Sequence, residues 1–165
     1  MWAIIKYKKN SFYTLQKELI QKIDKSLKIF IPKIKIQKVI KNNITYKDIP
    51  ILGDYLFCYH PCFRTSQIIN KLKFCRGLEY FLSNYLNNQN EIEKFINDCK
   101  KNEDQNGYIK QSFFNFNYLS EFQFLTGPFL NQIFKILNKE KDKINILVKN
   151  KKITVSKDKH IFRPV

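Results

Sequence analysis

Hydrophobic positions in the first forty or so residues switch between two periods. The run WAIIKY, Trp2–Tyr7, is β-branched and aromatic, which predicts a strand. Asn10 and Ser11 can then cap a helix, and the apolar residues that recur there at helical spacing are Phe12, Leu15, Leu19, Ile20 and Ile23. The isoleucine-rich run LKIFIPKIKIQKVI alternates in part, so we predict extended chain with Pro32 at an edge or a bulge. A strand, an amphipathic helix and an extended segment therefore follow one another.

Turn residues divide the next sixty residues into further short elements. A polar turn is predicted at 41–43, and Gly53 and Asp54 introduce a strand from Tyr55 to about Tyr59. Gly77 marks a turn into another apolar run, within CRGLEYFLSN, that we predict as a strand.

Two more segments of this region have helical spacing. Ile68, Ile69 and Leu72 predict a helix over 65–74, with Thr65 or Ser66 as its cap. Asn90 and Glu93 form a variant capping box ahead of a helix whose apolar positions are Ile92, Phe95, Ile96 and Cys99. Helices and strands in this order predict an α+β fold over residues 1–100, an α/β sandwich with helices on a mostly antiparallel sheet.

The remaining chain has a different pattern of hydrophobic and polar residues. Residues 101–117 are polar in their first half and without a period, which is typical of a linker. Five short apolar runs follow, separated by polar turns: FQFL, QIFKIL, INILVK, KITVS and HIFRPV. Gly127 and Pro128 lie in the first of these turns. We predict a second domain at 118–165, a small SH3-like β-barrel.

The charge of the chain fits two alternatives, a protein that lies close to nucleic acid and a basic surface that is merely solvated. The 165 residues have a formal net charge of +16, but of the 30 basic side chains only Arg64, Arg76 and Arg163 are arginine. Lysine attracts phosphate, whereas bidentate reading of bases usually uses arginine. No apolar run approaches the roughly 18 to 20 residues that a bilayer requires, and the N-terminus lacks the pattern of a signal peptide. We expect a cytoplasmic monomer that does not contact a membrane.

Candidate chemistry is sparse. Cys58, Cys62 and Cys75 lie near His60, but the spacing is not the paired C-x2-C of a zinc site, and buried thiols are ordinary core residues in a reducing compartment. The four glycines are solitary, so there is no phosphate-binding loop, and the acidic residues are not paired for acid and base catalysis. We predict neither a metal nor a cofactor, and a protein that is not an enzyme.

Aromatic side chains are the strongest candidates for binding. In the strand that begins at Tyr55, Tyr55, Phe57 and Tyr59 share one face, whereas Leu56 and Cys58 share the other. A small sheet that is covered on one side would expose part of this aromatic face. Exposed apolar patches of this kind bind partner proteins, and the other candidate aromatic residues are Trp2, Tyr7, Tyr80 and Phe81.

The order of these elements resembles the NusG family of transcription elongation factors. The most specific pieces are WAII at 2–5, PILGDYLF at 50–57, RG at 76–77 and LTGPFLNQIFKI at 125–136, and the resemblance extends over essentially the whole chain. It implies an N-terminal α/β domain that binds the clamp helices of RNA polymerase through a hydrophobic pocket, followed by a barrel with a KOW motif. It also implies a non-enzymatic factor that suppresses pausing or termination.

The resemblance also suggests residue roles. Leu52 and Tyr55 match the stretch that helps to form the polymerase pocket, with Phe57 two residues further along, and we add Trp2, Tyr7 and Phe81 as polymerase-binding residues. Lys8 and Lys9 match basic positions near the non-template DNA in the RfaH-like branch, and we place Lys17 and Arg76 with them. The KOW turn is formed by Gly127, Pro128 and Phe129.

Two positions depart from the family pattern, and the second of them indicates a specialised member. LGD stands where the family usually has an aromatic residue followed by Pro and Gly, and Phe134 stands where the KOW pattern has a glycine. RfaH-like sequences lose this glycine too, so we expect a paralogue of that type. In the family the barrel contacts a small-subunit ribosomal protein or Rho, and the change at Phe134 makes Rho the weaker expectation. The competing hypothesis is a basic RNA-binding or ribosome-associated module, in which lysines hold phosphate and aromatic rings stack on bases.

Overall fold

The computed structural model of the chain describes residues 1–40, 43–110, 113–114, 121–157 and 159–165. Contacts divide the chain into two compact units: an N-terminal unit, 1–32 with 50–98, and a C-terminal unit, 33–49 with 99–165. The strands are β1 Trp2–Tyr7, β2 Lys28–Phe30, β3 Lys33–Ile40, β4 Asn43–Pro50, β5 Tyr55–Tyr59, β6 Leu78–Phe81, β7 Glu121–Phe124, β8 Ile133–Lys139, β9 Lys143–Val148, β10 Lys151–Ser156 and β11 Phe162–Pro164. The helices are α1 Phe12–Lys22, α2 Ser66–Leu72 and α3 Gln89–Lys101, with a short 3-10 helix at Pro61–Arg64. The fold is α+β with antiparallel sheets.

The N-terminal unit is built on a four-stranded antiparallel sheet in the order β2-β5-β1-β6. Because side chains alternate along a strand, Ala3 and Ile5 of β1 lie on the same face as Leu56 and Cys58 of β5. These four residues are fully buried, and they belong to the same core as Leu15 and Leu19 of α1, which are also fully buried. The helical stripe and the strand faces predicted from the sequence therefore meet in one hydrophobic core.

The opposite face of this sheet is the aromatic face predicted from the sequence. The register of β1 and β5 pairs Trp2 with Tyr59, Ile4 with Phe57 and Lys6 with Tyr55. Part of this face is covered, because the ring of Phe95 in α3 lies 5.6 Å from the ring of Phe57. We define the aromatic face by the six residues of these three pairs and by Tyr80 of β6, which pairs with Lys6 of β1.

A five-stranded antiparallel sheet, in the order β10-β9-β8-β7-β11, forms the main part of the C-terminal unit. All five strands predicted after residue 117 are present, and their inward side chains form a second core rich in phenylalanine. Phe134 is fully buried in that core, with its ring 4.4 Å from Phe124, 5.3 Å from Phe162 and 5.8 Å from Phe122. Phe134 is thus a central packing element, while closure of this sheet into an SH3-like barrel stays a prediction.

The hairpin of β3 and β4 belongs to the C-terminal unit. The sequence pattern predicted extended chain for β3, but β4 was not predicted although Ile44 and Tyr46 alternate with polar residues. In the structure none of residues 43–48 is buried, so this alternation does not mark a core face. Lys41 and Asn42 of the predicted polar turn lie outside the described residues.

The segment 102–110 is folded against this hairpin. The Ile109 N–H donates to the Lys33 carbonyl at 2.8 Å, and the Asp104 N–H donates to the Tyr108 carbonyl at 2.8 Å. The first half of the predicted linker therefore has its own structure, and a domain boundary within 101–117 stays a prediction.

The start of α3 differs from the expected capping box. Asn90 lies inside the helix, which begins at Gln89, so the prediction that Asn90 caps it is wrong. The Ile92 N–H instead donates to the Asn88 carbonyl at 3.0 Å. The first residue of the helix, Gln89, forms hydrogen bonds to the backbone of Trp2, 87 positions away, and to that of Tyr85, four positions earlier, and these ties hold the start of the helix against β1. Among the described residues, no helix is long and apolar enough to cross a bilayer.

Candidate functional site

A cavity of about 270 Å³ opens on the aromatic face of the N-terminal unit. Its walls come from β1, β5, the turn before β5, the loop after β6 and the first turns of α3. The lining residues are Ile4, Leu52, Phe57, Leu82, Ser83, Tyr85, Asn88, Glu91, Ile92 and Phe95. Most of these side chains are apolar, so the cavity is suited to an apolar side chain of a partner.

Leu52 is presented to the cavity by the tight turn between β4 and β5. Gly53 has a φ of +62°, which a residue with a side chain adopts only with strain, and its N–H donates to the Pro50 carbonyl at 3.3 Å. The Ile51 N–H donates to the Pro32 carbonyl at 2.9 Å, which ties the turn to the end of the segment that follows β2. Leu52 is 37% exposed although it is large and apolar. A leucine held in this way is available for binding.

The wall formed by the loop after β6 is fixed by hydrogen bonds to the rest of the unit. The Leu82 N–H donates to the Ile4 carbonyl at 2.9 Å, and the Tyr85 hydroxyl donates to the Phe63 carbonyl at 2.9 Å. Gln89 binds β1 at both backbone groups of one residue: the Trp2 N–H donates to its Oε1 at 2.9 Å, and its Nε2 donates to the Trp2 carbonyl at 2.8 Å. The cavity is therefore preformed and does not depend on a partner to order its walls.

Three of the lining residues are polar, and one of these three is charged. Ser83, Asn88 and Glu91 contribute hydroxyl, amide and carboxylate groups, and Asn88 and Glu91 are exposed. Glu91 is the single charged residue among the lining residues. An apolar floor with a carboxylate at the edge favours an apolar anchor that has a cationic or amide neighbour.

A polar cluster continues the aromatic face at Tyr55. The hydroxyl groups of Tyr55 and Tyr80 are 2.8 Å apart, and Lys6 Nζ lies 5.9 Å from the Tyr55 ring centre and 5.5 Å from that of Tyr80. Lys6 also forms an ion pair of 3.2 Å with Glu79, and the hydrogen bond to this carboxylate raises the lysine pKa. Tyr55 thus belongs to the same strand as the lining residue Phe57 but does not itself line the cavity.

The remaining predicted polymerase-binding residues have different surroundings. Trp2 is half-buried, with its ring 5.2 Å from that of Tyr59. Tyr7 is only 6% exposed, its ring packs 5.9 Å from Phe12, and burial raises its pKa. Phe81 is half-buried, with its ring 6.2 Å from that of Phe63. Of the six predicted residues, the structure brings Leu52 and Phe57 together in the cavity.

Four basic residues were predicted to lie near nucleic acid. Lys8, Lys9 and Lys17 are exposed. Arg76 is exposed too, but its Nε donates to Glu18 Oε1 at 2.8 Å, and this hydrogen bond lowers the pKa of the glutamate. Arg76 would have to leave Glu18 in order to bind a phosphate with its Nε.

The turn predicted to open the C-terminal sheet is built around Gly127. This residue has a φ of +85°, and its N–H donates to Gln37 Oε1 at 3.0 Å. Pro128 is exposed, and the ring of Phe129 packs 5.5 Å from that of Phe124. A Cβ at Gly127 would lie 2.3 Å from His160 Nδ1, so both the dihedral angle and the available space require glycine.

The cysteine and histidine residues near position 60 have structural surroundings. Cys58 and Cys75 are buried and Cys62 is half-buried, and burial raises the thiol pKa of all three. His60 Nδ1 accepts from the Cys62 N–H at 3.1 Å at the start of the 3-10 helix, and its Nε2 lies 3.0 Å from Asp24 Oδ2. Within the described ranges, no group of three or more His, Cys, Asp or Glu side chains is arranged to hold a metal ion.

The similarity of this chain to known proteins is distant. No family model and no curated protein matches the sequence. Two solved structures align over nearly the whole chain, each with 11% identity and a TM-score of 0.36: an MjSpt4:Spt5 complex, which covers 100% of this chain and 98% of the other, and Thermotoga maritima NusG, which covers 94% and 91%. A TM-score of this size is too low to carry an argument about fold or function. Membership of the NusG family therefore stays a prediction from the sequence motifs.

Proposed function

We propose that this protein is a transcription elongation factor of the NusG type that binds RNA polymerase through the cavity on its N-terminal unit. The observation that carries the proposal is the joint placement of Leu52 and Phe57. The resemblance matched Leu52 and Tyr55 to a polymerase pocket, with Phe57 two residues further along. Leu52 and Phe57 line the same apolar cavity, whereas Tyr55 does not line it. Bound to the polymerase clamp, the protein suppresses pausing or termination without catalysing a reaction of its own.

The proposed binding mode follows from the chemistry of the cavity. An apolar side chain of the polymerase clamp enters between Leu52 and Phe95, and a basic or amide group beside it contacts Glu91. Because hydrogen bonds already hold the walls in place, little ordering cost opposes binding. We further propose that Lys8 and Lys9 face the non-template DNA, because both are exposed.

The C-terminal unit has a separate role in this proposal. Its five-stranded sheet contacts a second partner, a small-subunit ribosomal protein in preference to Rho. The change from a family glycine to Phe134 supports a specialised, operon-specific paralogue, because the phenylalanine is a central residue of this core.

A pull-down with purified RNA polymerase tests the proposal. The full chain is expected to bind at moderate salt, and Leu52→Ala is expected to bind more weakly because it removes one wall of the cavity. Tyr55→Ala is expected to weaken binding less, since Tyr55 is beside the cavity and not in it. Salt-sensitive binding of RNA together with no detectable binding of polymerase would instead support the RNA-binding module.

A further inference from the structure

One face of the β3–β4 hairpin brings lysine and tyrosine side chains together. Lys35 Nζ lies 5.6 Å from the ring centre of Tyr46 and 5.0 Å from that of Tyr108. Lys33 Nζ lies 4.8 Å from the Tyr108 ring centre and forms an ion pair of 3.1 Å with Asp48. Two cations and two aromatic rings therefore alternate along this face, which we call the hairpin platform.

The hairpin platform is exposed and positively charged. Tyr46 is 62% exposed, and Ile44, two residues earlier on the same strand face, is 60% exposed. The hairpin sequence from 33 to 50 has five lysines and one acidic residue, Asp48. That aspartate already forms an ion pair with Lys33 and accepts a hydrogen bond from the Tyr108 hydroxyl at 3.0 Å. The excess of positive charge is thus not neutralised within the hairpin.

The segment 102–110 holds Tyr108 in place. Asp104 Oδ1 accepts from the N–H groups of Asn106 at 2.8 Å and Tyr108 at 2.9 Å, which closes a turn. The Ile109 N–H then donates to the Lys33 carbonyl at 2.8 Å, and Ile109 is fully buried. Because the segment is anchored on both sides of its tyrosine, the platform is preorganised.

We propose that the hairpin platform binds single-stranded nucleic acid, with a base stacked on Tyr46 and the adjacent phosphates held by Lys35 and its neighbouring lysines. Aromatic rings beside a basic groove bind single strands with little sequence preference, because every base has a face that can stack. Lysine provides charge without the bidentate geometry that reads base edges, so we expect weak sequence preference. The charge excess favours a polyanion over a protein partner.

The inference does not depend on polymerase binding, because none of the platform residues lines the cavity. Its failure and that of the proposed function are therefore distinguishable. The test is fluorescence anisotropy of the full chain with labelled single-stranded oligonucleotides of about 12 nucleotides, a length within the usual site sizes. One arm uses RNA and a second arm uses DNA, which shows whether the 2′-hydroxyl contributes.

Two substitutions of Tyr46 test stacking, and a substitution of Lys35 with a matched control tests charge. Tyr46→Ala is expected to weaken binding roughly 5- to 150-fold, the range of base–aromatic stacking, whereas Tyr46→Phe keeps the ring and should bind nearly as tightly as the unchanged chain. Lys35→Ala is expected to lower the slope of log affinity against log salt by about 0.7, one phosphate contact on a single strand. Lys152→Ala, at an exposed lysine of β10, is the charge-matched control and should change affinity less.

Each result decides the matter. If Tyr46→Ala binds as tightly as the unchanged chain, no base stacks on Tyr46, and the proposal that the hairpin platform binds single strands is wrong. Equal losses for Lys35→Ala and Lys152→Ala would overturn it too, because only the overall charge would then matter. Binding to duplex DNA that is as tight as binding to either single strand would show that no exposed base is recognised. Circular dichroism of each variant checks that its fold is retained, as the exposure of Tyr46 and Lys35 predicts.

Discussion

Replacing Leu52 with glutamate should abolish polymerase binding while leaving the fold intact. Burying a whole leucine side chain is worth about 1.5–3 kcal/mol, and 37% of Leu52 is still exposed. Closing a partner over that remainder is therefore worth about 0.6–1.1 kcal/mol, or roughly 3- to 7-fold in Kd. Leu52→Ala should lose about this much.

Glutamate at the same position should cost far more. An unpaired carboxylate in an apolar cavity carries a penalty of several kcal/mol, and Glu91 already places one negative charge among the lining residues. We expect the Kd of Leu52→Glu to rise at least about 100-fold. The buried part of Leu52 contributes roughly 1–2 kcal/mol to folding, so the variant should unfold at a somewhat lower temperature while its circular dichroism spectrum keeps the shape of the unchanged chain's.

Biolayer interferometry with immobilised polymerase, at about physiological salt, measures both variants. Leu137→Glu is the matched control, because Leu137 is a leucine of similar exposure, 43%, in β8 of the C-terminal unit. It should bind like the unchanged chain. Equal affinities for Leu52→Glu and the unchanged chain, with a normal fold, would refute the assignment of the cavity to polymerase, and so would equal losses for Leu52→Glu and Leu137→Glu.

Three further predictions concern the stability of the C-terminal unit. Gly127→Ala should lower the free energy of unfolding by about 2–4 kcal/mol in urea titrations, because a φ of +85° is strained for alanine and His160 must move. Gly107→Ala, with a φ of +76° and open space around the Cβ, should cost only about 1–2 kcal/mol, and equal costs would contradict the argument. Phe134→Ala should cost about 3–5 kcal/mol and Phe134→Leu clearly less, again by urea titration; a neutral Phe134→Ala would mean that the ring is not a core element. Burial lowers the pKa of His160 below its ordinary 6.5, so just below that pH the unfolded chain binds more protons than the folded chain. The free energy of unfolding should therefore be highest above about pH 6.5 and should fall as the pH falls below it. In His160→Gln, the urea midpoint should depend less on pH in this range.

Local elements were predictable because their signals are local. The strands Trp2–Tyr7 and Tyr55–Tyr59 were predicted with the observed bounds, and the five C-terminal strands are present where turn residues separate apolar runs. Alternation also assigned Phe57 and Leu56 to opposite faces, because the period of a strand is independent of its partners.

The cavity was only partly predictable. Helical spacing identified Ile92 and Phe95 as one stripe of α3, but nothing in that stripe states which sheet face the helix covers. Gln89 was missed because it fixes the helix through Trp2, 87 positions away in the chain. Strand β4 was missed for a different reason: it is a strand because it pairs with β3, and none of its residues 43–48 contributes to a core. Local sequence patterns do not show which residues distant in sequence come into contact, and those contacts build most of the cavity.

Site-specific photo-crosslinking from the cavity shows whether this surface meets RNA polymerase. A photoreactive amino acid replaces Leu82, which is 38% exposed and lines the cavity, and in a second sample it replaces Leu137. Each chain is mixed with transcribing polymerase complexes and irradiated, and the products are identified by mass spectrometry. We expect a crosslink from position 82 to the polymerase clamp and none there from position 137. A crosslink from position 82 to RNA or a ribosomal protein, or no polymerase crosslink from that position, would rule out the cavity as the polymerase-binding surface.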